Sequence, residues 1–121
     1  MTLDTNILVS YLNGEPTIVR TITDWKDTGQ PLIISSISVA EVLALPRLSP
    51  KDIDIVKAFL ASFTSIAFDD KLAETASFIK RVYGLKLPDA AIAATAIEKS
   101  LPLVTRDKQF EKVKELVVLT I

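Results

Sequence analysis

Pro88-Asp89-Ala90-Ala91-Ile92-Ala93-Ala94-Thr95-Ala96-Ile97, followed after a short break by Leu103-Val104, is the stretch on which the fold turns. Proline suits the first turn of a helix, where its missing N–H has no partner to lose. The residues after it are small or apolar on every side. A helix of that kind is buried, and alanine lets neighbouring elements approach closely. Leu103-Val104 reads as a short strand, so the segment is a helix feeding into a sheet.

Working outward, the same alternation recurs. Met1–Leu3 predicts a short strand and Thr5 to Leu12 a helix. A second helix starts at Pro16 and ends near Gly29, and Leu32-Ile33-Ile34 is a wholly apolar strand of the sort covered on both faces in parallel sheets. The next helix spans about Ser38 to Ala44, stopped by Pro46. Ser49-Pro50, with Asp52 in the first turn, opens another, with Ile53, Val56, Leu60 and Phe63 at helical spacing. Ser65–Phe68 is a strand. Asp69 or Asp70 caps a helix carrying Leu72, Ala76, Ile79 and Tyr83 and closed by Gly84, and Leu116–Leu119 is a final strand. The expected fold is a single-domain α/β three-layer sandwich over residues 1–121, with a central, mostly parallel sheet of about five short strands. Ligands of such sheets bind beyond the carboxyl ends of the strands, near a switch in strand order.

Composition narrows the chemistry. The 121 residues fit one core, and 49% are apolar. There is no cysteine and no histidine, so disulfides, thiolate sites and Ser–His or Cys–His nucleophiles are excluded. A net charge of −1, from 14 basic and 15 acidic residues, does not by itself announce a nucleic-acid binder. No apolar run reaches the roughly 18 residues of a membrane span. Asp4 stands where a secretory signal would be basic, so a cytoplasmic protein is expected. Gly14, Gly29 and Gly84 form no phosphate-cradling loop.

Carboxylates are what remains. Asp4 and Asp107 follow strands, Asp89 is in the first turn of the buried helix, and Glu41 lies one turn into the helix after Ile33-Ile34. Parallel topology brings these places to one edge. Each acid also has a local explanation: Asp4 as a helix cap, Ser38-x-x-Glu41 as a capping box, Asp89 as a complement to the helix dipole, Asp107 as a turn residue. Local capping does not explain why all four share an edge. Converging carboxylates repel unless a hard cation joins them, and oxygen-only ligation suits Mg²⁺ or Mn²⁺. Asn6 and Thr105 stand close enough in sequence to orient a carboxylate. Arg106 and Lys108 flank Asp107 as solvated charges or as phosphate contacts. Trp25, Phe59, Phe63, Phe68 and Phe78 are expected in the core.

Leu3-Asp4-Thr5-Asn6, Ser38-x-x-Glu41, Pro88-Asp89-Ala-Ala-Ile-Ala-Ala-Thr-Ala and Thr105-x-Asp107-x-x-Phe110 occur in the order and approximate spacing of a PIN domain. The chain most resembles a VapC-type toxin, the ribonuclease half of a toxin–antitoxin pair. The resemblance covers essentially the whole chain and is most specific from Asp89 to Phe110. One departure is the very short first strand, where relatives often carry a few more apolar residues. The resemblance implies an acidic metal site of Asp4, Glu41, Asp89 and Asp107, with Asn6 and Thr105 in support. It further implies RNA as substrate, a homodimer, and an antitoxin that blocks the groove. The expected reaction is RNA phosphodiester hydrolysis dependent on Mg²⁺ or Mn²⁺ held mainly by Asp4, Asp89 and Asp107. Two alternatives stand beside it. One is a non-catalytic protein-binding module of the same fold. The other is a metal-dependent phosphatase or phospho-receiver domain, with Asp69 as nearest candidate acceptor.

Overall fold

A computed structural model describes residues 1–121. In chain order the elements are β1 (Thr2–Leu3), α1 (Thr5–Leu12), α2 (Pro16–Asp27), β2 (Ile33–Ser35), α3 (Ser36–Leu43), α4 (Pro50–Leu60), β3 (Thr64–Ile66), α5 (Asp70–Tyr83), α6 (Leu87–Lys99), β4 (Leu103–Val104), a short 3-10 helix (Lys108–Lys112) and β5 (Val118–Leu119). The five strands are all parallel, in the order β3-β2-β1-β4-β5. This is the α/β sandwich read from the sequence.

Strand order reverses at β1. From there the chain builds outward through β2 and β3 on one side, then returns to lay β4 and β5 on the other. A crevice forms where two such halves diverge. The two faces of the sheet are covered separately. Leu103 and Val104, adjacent in β4, belong to different apolar clusters, because successive strand residues point to opposite faces. Leu103 joins α5, α6 and the segment Phe110–Leu116, whereas Val104 joins β1, α1, α2, α3 and α4. Residues 90–96 of α6 are all buried, as an alanine helix without a polar face requires. No helix is long and apolar enough to cross a membrane.

Local signals set most boundaries. Ser49 and Asp52 form a reciprocal capping box at the start of α4. Asp69 Oδ1 accepts the Leu72 N–H, and Gly84 ends α5 at φ +74° in the left-handed region. The structure corrects four readings. Strand β3 runs Thr64–Ile66 rather than Ser65–Phe68, ending where its pairing with Ile33–Ser35 of β2 ends. Helix α3 begins at Ser36, two residues earlier than expected, because Ser35 caps it by accepting the Ile37 N–H at 3.1 Å. The last strand shrinks to Val118–Leu119, and a 3-10 helix precedes it. Phe78 is 43% exposed and so is not a core residue. The helical period that turns Leu72, Ala76 and Ile79 inward turns Phe78 and Val82 outward. The other aromatics behave as expected: Phe63 is buried, and Trp25, Phe59 and Phe68 pack against the two clusters.

Candidate active site

Asp4 leaves β1 at the point where strand order reverses. Its N–H donates to Val104 O at 3.0 Å, so its backbone is held against β4. The side chain is 4% exposed. Oδ1 accepts the Thr5 N–H at 2.7 Å as the cap of α1, and Oδ2 accepts the Thr105 hydroxyl at 2.6 Å. Capping and burial at the crevice are therefore properties of the same side chain. Burial is the main force raising its pKa, to about 6; the bonds from Thr105 and Thr5 oppose it, and the charges of Asp89 and Asp107 add to it.

Thr105 sits one residue past β4 and is buried. Its N–H donates to Leu119 O at 3.1 Å, which fixes it to the chain leaving β5. The hydroxyl donates to Asp4 and accepts the Asp107 N–H at 3.0 Å, linking two of the acids through one oxygen. Asp107 caps the 3-10 helix, with Oδ1 accepting the Gln109 N–H at 2.9 Å. Removing this hydroxyl leaves a buried carboxylate oxygen without its partner. Thr105→Val is expected to destabilise the fold by about 1–3 kcal/mol, and Thr105→Ser by much less. Urea denaturation at pH 7 checks this; equal midpoints for the valine and serine variants would refute it.

Asp89 lies in the first turn of α6, half-buried. Burial raises its pKa, with further contributions from Asp107 and Glu41, and Lys86 acts in the opposite direction. Glu41 is exposed on α3. It is not part of a capping box with Ser38, since the cap of α3 is Ser35. Instead its Oε1 lies 2.7 Å from Thr5 Oγ1, which in turn lies 2.9 Å from Ser38 Oγ. A carboxylate only accepts, so the Thr5 hydroxyl donates to Glu41. The sequence suggests no role for Thr5 and only a capping role for Ser38. Their only signal was position, next to Asp4 and one turn before Glu41.

The four acids line one open groove of about 430 Å³ together with Thr5, Asn6, Val9 and Ser10. Asn6 is exposed on its rim. The two ion pairs of the structure, Lys71–Glu98 and Arg106–Glu15, involve none of the four. Arg106 is accordingly not a free cation beside Asp107. No three acidic side chains are arranged, as they stand, to grip one ion in common. The donor chemistry nonetheless fits a hard cation. The donors are oxygens only, one of them a buried carboxylate with no basic partner, and Mg²⁺ retains several waters and needs few direct protein ligands.

Fold and groove together define an α/β protein with an acidic cleft at the seam of a parallel sheet. The chain belongs to the PIN domain family, whose model matches residues 1–116. It is similar to a chain of a toxin–antitoxin complex from Klebsiella pneumoniae, at 30% identity over 99% of this chain and 98% of that one, with a TM-score of 0.83. It is similar also to FitAcB from Neisseria gonorrhoeae, at 27% identity over 98% and 96% of the two chains, TM-score 0.72. A structure of VapBC2 from Rickettsia felis, bound to a DNA fragment from its promoter, shares the fold at TM-score 0.84 and 24% identity over 99% and 97%. A comparison with curated proteins finds no match.

Proposed function

We propose that this protein is a divalent-metal-dependent endoribonuclease and the toxin of a toxin–antitoxin pair. The observation that carries the nuclease reading is the groove itself: four carboxylates on one surface, without a basic partner, one of them buried with its pKa raised to about 6. Such an arrangement is costly unless a cation completes it. The toxin reading is supported by similarity, over 99% of this chain, to a chain of a toxin–antitoxin complex. A cognate antitoxin is the partner that complex suggests. A homodimer in the cytoplasm follows from the resemblance to VapC-type toxins.

Asp4, Asp89 and Asp107 would hold Mg²⁺ or Mn²⁺. Bound there, the ion supplies charge stabilisation at the scissile phosphate and lowers the pKa of water. The remaining steps belong to the chain. Thr105 keeps Asp4 oriented and ties Asp107 to it. Thr5 occupies one oxygen of Glu41, leaving the other to accept a proton from the attacking water. Asn6, on the open rim, would meet substrate or orient water. The groove is open rather than a closed pocket, which suits an unpaired strand whose bases can be splayed.

The receiver alternative loses ground on geometry, because Asp69 is engaged as the cap of α5 and lies outside the acidic groove. The test is cleavage of single-stranded RNA by the purified protein in Mg²⁺, in Mn²⁺ and in chelator, beside a small phosphate monoester. RNA cleavage abolished by chelator is expected. Turnover of the monoester alone would move the reading to a phosphatase, and metal binding without turnover of either substrate would favour a binding module.

A further inference from the structure

Asp107 sits in a groove of like charges, on a turn between β4 and the 3-10 helix, and something must hold that turn in place. The residue beside it is tied down on two sides. Both terminal nitrogens of the Arg106 guanidinium bond to Glu15, Nη1 donating to Oε2 at 2.8 Å and Nη2 donating to Oε1. Its Nε donates to the carbonyl oxygen of Ile121 at 2.9 Å. Exposed ion pairs contribute little in general, but a planar bidentate pair with an added bond to backbone is the geometry in which one does.

Position gives the pair its meaning. Glu15 lies just past the end of α1, the helix whose first turn is capped by Asp4. The 105–107 turn is therefore pinned against both ends of α1: Thr105 to Asp4 at one, Arg106 to Glu15 at the other. We infer that Arg106 is a positioning residue, which through Glu15 and Ile121 fixes the turn that presents Asp107 to the groove. It does not contact substrate, since its charge is already committed to Glu15.

This rests on the nuclease reading for its effect on cleavage but not for its effect on the turn, so the experiment reads both. Arg106→Gln, Arg106→Lys and Glu15→Ala are compared with the parent by amide hydrogen exchange in chelator and by RNA cleavage in Mn²⁺. Loss of the tether is expected to speed exchange of the Asp107 and Gln109 amides roughly 3- to 10-fold in Arg106→Gln and in Glu15→Ala alike. Arg106→Lys, which keeps the charge but not the fork, is expected in between. In cleavage, both tether-breaking variants lose kcat with KM little changed. The opposite pattern overturns the inference. If Arg106 instead meets phosphate, Glu15→Ala frees the guanidinium and preserves or raises activity, while Arg106→Gln raises KM with exchange unaltered. Unaltered exchange in both variants overturns it as well. If the parent cleaves nothing, the nuclease reading fails while the exchange data still decide the role of Arg106.

Discussion

Asp4→Asn is expected to lower metal-dependent RNA cleavage by at least about 100-fold while leaving the metal-free protein as stable as the parent at pH 8, or more stable. The two effects share a cause. A carboxyl whose pKa moves from 3.8 to about 6 on folding carries a cost on the order of 3 kcal/mol when it is ionised in the folded state. Asparagine removes that cost and keeps an oxygen to accept from Thr105, at the loss of one bond worth roughly 1 kcal/mol. The sign with pH follows from the direction of the shift. Between pH 3.8 and about 6 the folded state holds the proton that the unfolded state has released. This contribution to stability is intact below the unfolded value and is lost as pH rises through the folded one. The advantage of the asparagine variant over the parent should therefore grow from pH 4 to pH 7 and then level off. Denaturation midpoints in chelator across that range measure it. An advantage that shrinks with rising pH, or cleavage at the parent's rate, would sink the assignment of Asp4.

Adding Mn²⁺ to the parent should raise its melting temperature strongly at pH 8 and weakly at pH 5. An ion at about 100 times its dissociation constant stabilises a folded protein by about 2.7 kcal/mol, worth roughly 10 °C for a domain of this size. The ion competes with protons for Asp4 and Asp89, both of which hold them more tightly than free carboxyls. Displacing the Asp4 proton is expected to cost about tenfold in apparent affinity per pH unit below about 6, and the raised pKa of Asp89 acts in the same direction. Scanning calorimetry at the two pH values, with Asp89→Asn as a control that binds less tightly, gives the measurement. A rise of equal size at both pH values would place the ion elsewhere on the molecule.

The parts of this molecule that rest on local chemistry were legible in the chain. The alanine run of α6 has no polar face to expose, so its burial could be read directly, as could the Ser49 cap and the stop at Gly84, while the cap of α5 was narrowed to Asp69 or Asp70 and is Asp69. The shared edge of the four acids followed from parallel topology, and the groove brings all four together. What could not be read was pairing at long range. Glu41 fits a capping box by spacing, yet its partner is Thr5, 36 residues away. Arg106 looks solvated in its own neighbourhood, and its partner is 91 residues away. Phe78 fails for a different reason. Hydrophobicity says that an aromatic should be inside, but the helical period assigns the inner face of α5 to other residues. Cap geometry was harder for α3, where Ser35, Ser36 and Ser38 are all chemically capable and only the strand's end decides among them.

The seam between β1 and β4 has a consequence in time. Its hydroxyl–carboxylate bond spans 101 residues, joining Asp4 near the start of the chain to Thr105 near its end. Contacts so far apart carry a larger loop-closure cost than local ones, and ordering the chain between them offsets it. A polypeptide still being synthesised holds Asp4, Glu41 and Asp89 but neither Thr105 nor Asp107, so the crevice has only one wall. The second wall is in place only once β4 slots in beside the central strand. The order of the strands thus makes the groove a product of the whole sheet rather than of either half of it.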